Sequence, residues 1–365
     1  MPENGTFPNP IDHLSEKGLL YTLEEDGFIR CTACALRCRL RPGQQGSCKV
    51  RYNRGGELRV PWGYVSAIQV DPIEKKPFFH FMPGSEVLTF GMLGCNFHCS
   101  FCQNWSISQT FRDPVAATGM QSIRKMSAEN VVSIGKQTGV KIIASSYNEP
   151  LISSEWAAAI FEPARQAGML CAYVSNGHAT PEALEFLKPY LNAIKIDLKS
   201  MSQENYQKMG GRLDHVLETI HFAHQLGIWV EVVTLVIPGF NDSVEELWEI
   251  ARFVASINSD IPWHVTAYHP DYRMGNPATP TGALKMAGDI GQEAGLHFVY
   301  AGNLPGKVGS LEDTFCPSCQ TRLIQRKAYS IIDYQITPSG TCPNCNTKIA
   351  GIWSKHPQNK FSGQE

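Results

Sequence analysis

Eleven of the twelve cysteines of this 365-residue chain fall into three tight clusters: 31, 34, 38 and 48; 95, 99 and 102; and 316, 319, 342 and 345. Gaps of two and three residues between thiols read as metal or iron–sulfur ligands in a chain with no mark of secretion. Cys171 stands alone in the apolar run MLCAYV and is expected in the core. The most informative stretch is Gly94-Cys95-Asn96-Phe97-His98-Cys99-Ser100-Phe101-Cys102. Cys95, Cys99 and Cys102 can hold three corners of a cubane iron–sulfur cluster. The fourth iron then stays open, and an open coordination position marks a reactive centre. The competing reading is a zinc loop, with His98 or Cys171 as fourth ligand.

Cys316-Pro-Ser-Cys319 and Cys342-Pro-Asn-Cys345 read as the two knuckles of a zinc ribbon. Four thiolates close a tetrahedral site without a vacancy, so a structural zinc is expected there, with a rubredoxin-like iron as the alternative, on a module able to dock a partner. The position after the second Cys of each knuckle favours a left-handed backbone, which suits Asn346 better than Gln320. Cys31, Cys34, Cys38 and Cys48 are ringed by Arg30, Arg37, Arg39, Arg41 and Arg51, which would offset a tetrathiolate charge. Zinc and a second iron–sulfur centre fit them equally.

The elements that must position these ligands alternate. Strand-like runs lie at Val87–Gly91, Lys141–Ser145, Leu170–Ser175, Ala193–Leu198, Ile228–Ile237, Trp263–Tyr268 and His297–Tyr300. Helical patterns fill 127–138, 154–167, 181–188, 212–226, 243–257 and 281–294, with cap signals at Ser127, Thr180 and Asn241-Asp242-Ser243. Near-continuous apolar strands separated by helices predict a parallel sheet covered on both faces, a barrel or partial barrel, with a doubly wound sheet as alternative. Residues 1–60 read as an irregular Cys-rich segment, 61–306 as the barrel, and 307–365 as the ribbon module with a polar tail.

The length fits about two to three domains. A net charge of −2, with 43% hydrophobic and 18% charged residues, describes a folded chain without the basic field that nucleic acid requires. MPENGTFPNPIDHLSEKG lacks an apolar core, so no secretory signal is expected. The run Ile228–Pro238 is short and contains Glu231, so no membrane span is expected either.

The cysteine triplet, with an aromatic residue before its last Cys, resembles the signature of the radical S-adenosylmethionine (SAM) superfamily. Asp71-Pro72-Ile73-Glu74-Lys75-Lys76-Pro77, His80-Phe81-Met82-Pro83-Gly84, Cys102-Gln103-Asn104-Trp105 and Tyr147-Asn148-Glu149-Pro150 are similar to the branch near the pyruvate formate-lyase activating enzymes. They resemble the AmmeMemoRadiSam-system radical SAM proteins still more closely, over roughly residues 30 to 350. The resemblance implies a partial (β/α)6 barrel and a [4Fe–4S] cluster that binds the amino and carboxylate groups of SAM. Reduction would split SAM to methionine and a 5′-deoxyadenosyl radical that abstracts a hydrogen. A cytoplasmic location is an expectation that rests on the same resemblance.

The resemblance also implies residue roles. Glu149, with Asn148 beside it, stands where the family has a glycine-glycine-glutamate motif that contacts the methionyl ammonium. Ser175 and Asn176 end the third strand, where they could bond the ribose or carboxylate. Asp197 and Lys199 match a D-x-K motif and, by strand alternation, share one side. Backbone at 234–239 would face adenine, and Tyr268-His269-Pro270-Asp271-Tyr272 would stand near substrate. Some activating enzymes carry a ferredoxin-like insertion of eight cysteines after the triplet, whereas here four precede it. The expected function is an activating-enzyme-like radical SAM enzyme acting on a protein, fed by a low-potential donor such as flavodoxin or ferredoxin. A small-molecule substrate is the alternative, and a catalytically inactive zinc-binding scaffold is the alternative of a different class.

Overall fold

The computed structural model describes residues 10–354. Its centre is an eight-stranded sheet: β1 (Ala67–Pro72), β2 (Glu86–Gly91), β3 (Ile142–Ser145), β4 (Leu170–Ser175), β5 (Ala193–Asp197), β6 (Trp229–Val236), β7 (Trp263–Ala267) and β8 (Val299–Gly302). The strands lie side by side in chain order. The pairs from β2 to β8 are all parallel, and only β1 runs antiparallel, against β2. β1 and β8 do not pair, so the barrel is partial and open. All seven strand runs expected from the sequence are present.

Six crossover helices cover the outside: α1 (Ala128–Thr138), α2 (Ser154–Gln166), α3 (Pro181–Leu187), α4 (Leu213–Gln225), α5 (Val244–Ile257) and α6 (Thr281–Glu293). The expected caps form. Ser127 Oγ accepts from Asn130 N at 3.2 Å, Thr180 Oγ1 from Ala183 N at 3.1 Å and Ser243 Oγ from Glu246 N at 3.1 Å. Each helix turns an apolar stripe inward, as in α5, where Leu247, Ile250, Ala251 and Val254 are buried at helical spacing. Cys171 is fully buried on β4, as its setting in MLCAYV suggests. A parallel sheet under such helices sends every strand's C-terminal end to one rim, and there the chemistry-bearing loops gather.

The N-terminal segment is more ordered than its composition suggests. Short strands at Ser15–Lys17, Tyr52–Arg54 and Glu57–Pro61 form one three-stranded sheet, and Tyr21–Leu23, Ile29–Cys31 and Arg39–Leu40 form another. Strands of two to five residues are too short to display an alternating pattern. This segment is fastened to the barrel by the buried pair Arg51–Glu155. Arg51 Nη1 and Nη2 lie 2.7 and 2.8 Å from the Glu155 carboxylate, which also accepts from Leu19 N at 3.0 Å. Glu155→Leu would strand the guanidinium and should destabilise the chain by about 3–5 kcal/mol, read by urea unfolding.

The ribbon module pairs Thr314–Phe315, Arg322–Lys327 and Ser330–Tyr334 in an antiparallel sheet. Its core joins Cys316, Cys342, Leu323 and Ile324 to Phe79, Phe298 and Tyr300 of the barrel side. Arg326 locks the joint: its guanidinium donates to Phe79 O at 2.9 Å and lies 4.2 Å from the Phe79 ring centre. Among the described residues no helix is long and apolar enough to cross a membrane. The polar stretch from 355 onward and the first nine residues lie outside the described residues.

Candidate active site

The cysteine triplet sits on the loop after β2, and that loop is clamped from several sides. Gly94 N donates to Ile107 O at 2.9 Å, Asn148 Nδ2 to Gly94 O at 3.1 Å, His98 N to Met209 O at 3.0 Å and Arg273 N to Ser100 O at 2.9 Å. Gly210 and Gly211 allow the close approach. A Cβ on Gly210 (φ +84°) would stand 2.5 Å from the His98 ring, and one on Gly211 2.3 Å from the Phe97 ring. Phe101, the aromatic residue before Cys102, is buried against Phe240 with ring centres 5.6 Å apart.

The three thiols face one cavity of about 400 Å³ at the strand C-terminal ends. Burial pushes the Cys99 thiol up to about 12 and raises Cys95 and Cys102 as well. As free acids these thiols stay protonated, and a metal that replaces their protons relieves that cost. No three of their neighbouring donor atoms gather within 4.8 Å, so the triplet does not enclose one small ion.

Glu149 lines the same cavity and is 2% exposed. Its carboxylate accepts from Ser175 Oγ and Asn176 N, both at 2.7 Å, and from Leu151 N at 3.0 Å. It therefore also caps the helical turn that follows. Every one of these donors is neutral. Burial pushes its pKa up to about 7 against the pull of the hydrogen bonds, with Asp197 adding to the rise. A buried carboxyl without a counter-charge, facing open space beside three thiols, suits the ammonium of a bound ligand. Tyr147 holds the left-handed φ of +71° in the place where glycine stands in the related motif, so the turn keeps that backbone shape despite the ring.

Ser175 and Asn176 thus bond Glu149 while also lining the cavity. The Asn176 amide also donates to Asn96 Oδ1 at 2.8 Å, while Asn96 Nδ2 is buried without a partner. Asn148 is likewise engaged: Met92 N donates to its Oδ1 at 3.1 Å, and its Nδ2 reaches Gly94 O. Asp197 and Lys199 lie on one side, as alternation requires, and pair at 3.0 Å, with Lys195 bonding the other carboxylate oxygen. Burial would raise Asp197, but the two lysines outweigh it and hold the group at about 2. Burial would lower Lys199, yet Asp197 and the Cys99 thiol raise it. All three line the cavity, with Val233 and Leu235 from β6 as apolar wall.

The loop after β7 packs on the cysteine loop at one end and borders a second chamber at the other. Tyr272 stacks on Trp105 with ring centres 5.3 Å apart and bonds Asp113 at 2.5 Å, so it braces the cysteine loop. Only His269 of that loop reaches a neighbouring chamber of about 370 Å³. The two chambers share Lys75, Pro77, Gln103, Thr266, Asn303 and Tyr329 as lining. Composition and periodicity give no hint of these walls. Lys75 and Lys76 come from the Asp71–Pro77 run, where both pair with Asp71 at 2.7 and 2.8 Å. Tyr329 comes from the tip of the ribbon hairpin. In the second chamber Glu74 Oε1 accepts from Gly84 N at 2.8 Å, Oε2 is buried without a partner, and burial lifts the group to about 7.

At the ribbon, Cys316, Cys319, Cys342 and Cys345 bring their sulfurs within 4.8 Å of one another. The gaps Cys316–Cys345 and Cys319–Cys342 are 3.5 and 3.6 Å. A tetrahedron with metal–sulfur bonds of about 2.3 Å has edges of about 3.8 Å, so the set fits one ion. Gln320 and Asn346 take left-handed φ of +57° and +61°, giving both knuckles the same turn. Cys31, Cys34 and Cys48 are buried and Cys38 is half-buried, and after burial itself the nearby Cys31, Cys38 and Cys48 thiols raise the pKa of Cys34.

A partial parallel barrel with a C-x3-C-x2-C loop after its first parallel strand matches a known family: residues 90–254 fit the Radical SAM superfamily model. The chain belongs to the radical SAM superfamily. This radical SAM protein is related to activating enzymes: it is 24% identical over 202 residues to the pyruvate formate-lyase-activating enzyme of Staphylococcus aureus, 51% of this chain and 76% of that one. It is 36% identical over 338 residues to an uncharacterized protein of Methanocaldococcus jannaschii, covering 91% and 98% of the two chains. Among solved structures, Streptococcus suis SuiB matches with TM-score 0.45 and 15% identity over 63% of this chain and 51% of that one. Membership makes this an iron–sulfur and SAM-dependent enzyme, and family members draw on a reductant such as flavodoxin or ferredoxin.

Proposed function

We propose that this enzyme abstracts a hydrogen atom from its substrate, as an activating enzyme does, with Cys95, Cys99 and Cys102 as ligands of the [4Fe–4S] cluster. The observation that carries the reading is the common cavity of the triplet and the uncompensated carboxyl of Glu149. When bound and reduced, the cluster supplies the electron that splits SAM to methionine and a 5′-deoxyadenosyl radical. Glu149 receives the methionyl ammonium, and Ser175 and Asn176 fix the carboxylate that does so. Asn148 holds the Cys95 loop against β3, and Lys199, charged at every physiological pH, offers its ammonium from beside Cys99. Val233 and Leu235 shield the cavity from water on the side of β6, which keeps a radical from being quenched.

The reading is tested with anaerobically reconstituted, reduced protein and SAM. Release of 5′-deoxyadenosine with methionine is expected, and protein that is colourless and holds only zinc would refute it in favour of an inactive scaffold. The activating-enzyme likeness favours a peptide segment as hydrogen donor. The second chamber, adjoining the first through shared walls, offers room for a small molecule instead. We assign the C-terminal thiols to a structural zinc. Cys316→Ala should lose one zinc per chain by metal analysis and lower the melting temperature, because Cys316 is fully buried in the joint between module and barrel.

A further inference from the structure

We propose that Cys31, Cys34, Cys38 and Cys48 hold a second iron–sulfur cluster, seated directly beside the cysteine triplet and passing electrons to it. The first part stands on the N-terminal segment alone, and the electron-passing part rests on the reading of the triplet given above.

Size separates this set from the ribbon. The ribbon thiols crowd to the spacing of a single tetrahedral ion, whereas no three of the N-terminal four lie within 4.8 Å of one another. The triplet likewise does not close to within 4.8 Å. One chain thus carries one compact thiol set and two wide ones, and a multi-iron cluster spaces its thiolates more widely than a lone ion does.

The surroundings are built for charge on sulfur. Arg51, 2% exposed, points its Nε at Cys31 Sγ from 3.3 Å, and Ser47 N donates toward Cys38 Sγ at 3.5 Å. Hydrogen bonds to sulfur and shielding from solvent are the levers that set a cluster's potential. Cys38 is the least covered of the four, which gives a donor protein an accessible side.

The two cysteine sets touch. The Cys48 carbonyl would stand 2.8 Å from a Cβ on Gly94, the residue before Cys95, so only hydrogen fits there. Arg112 bridges them, donating to Phe97 O at 2.9 Å inside the triplet loop and to Ser47 O beside Cys48. Ala35 N donates to His178 O at 3.0 Å just past the end of β4, which ties the same segment to the rim. In operation, a low-potential one-electron donor of the flavodoxin or ferredoxin class is oxidised by one electron, the N-terminal cluster is reduced by it, and the same electron then moves to the triplet's cluster. No proton moves and no bond forms in that transfer.

The test uses the full chain in which Cys95, Cys99 and Cys102 are all changed to Ala. After anaerobic reconstitution it should keep the two or four irons of a four-cysteine cluster with matching acid-labile sulfide, and give a paramagnetic signal on reduction. Zinc, or no metal, in that variant would overturn the assignment. Cys34→Ser with Cys38→Ser in the otherwise native chain should lose that same share of iron and keep the triplet's. Retention of the full complement would also overturn it. In fully reduced native protein the two signals should broaden each other. Two independent, unbroadened signals would remove the electron-passing role. SAM cleavage enters none of these readouts, so a failure here is distinct from a failure of the hydrogen-abstraction reading.

Discussion

Cys99→Ala should abolish SAM cleavage altogether, with 5′-deoxyadenosine release falling to the level of unreduced protein. Cys99 is buried beside Lys199 and shares its cavity with Cys95 and Cys102, so no other thiol can take its corner. The loop itself should survive, because its clamps are backbone contacts from Met209, Ile107 and Arg273 that do not involve the sulfur. Circular dichroism and urea unfolding should therefore stay close to native while iron content drops. Turnover that persisted in this variant would place the reactive centre elsewhere.

Glu149→Gln should weaken SAM binding by about ten- to a hundredfold, the worth of a buried hydrogen bond to a charged group, about 1.5–3 kcal/mol. The amide keeps the shape and can still accept from Ser175 or Asn176, so the effect should fall on affinity more than on folding. The pH dependence has a definite sign. Burial lifts the empty-site carboxyl to about 7, and the ammonium needs its ionised form. Affinity should rise as pH climbs through about 7 and level off above it, and the Gln variant should show no such rise. For the ligand-free protein the sign is opposite. A carboxyl raised from its unfolded value of 4.5 to about 7 binds its proton more tightly when folded, so its contribution to stability is full below 4.5 and is lost as pH rises through about 7. SAM should restore stability most strongly at the alkaline end, which a thermal scan with and without SAM reads directly.

The fold was legible where elements are long enough to show a period. The seven parallel strands announce themselves as apolar runs, and Ser127, Thr180 and Ser243 mark helix starts that the structure places within a residue. The N-terminal sheets were not legible, because strands of two to five residues carry no repeat. The site was legible in part. The triplet and the Glu149 turn stand next to strand ends, and local sequence gives their place. What a side chain meets across the rim is set by strand register, which the sequence does not display. The bonds of Ser175 and Asn176 to Glu149, and the stacking of Tyr272 on Trp105, are contacts of this kind. Lys75, Asn303 and Tyr329 come from segments far apart in the chain, and only the folded topology brings them to one wall.

The hairpin tip at Ala328 and Tyr329 belongs to the thiol-bound module, yet it forms part of the second chamber, and Tyr329 borders the first as well. The two chambers are thus walled by two pieces of chain that share one core, the barrel rim and the ribbon hairpin. A change of side chain at Tyr329 would therefore reshape the wall of both chambers without touching the cysteine loop.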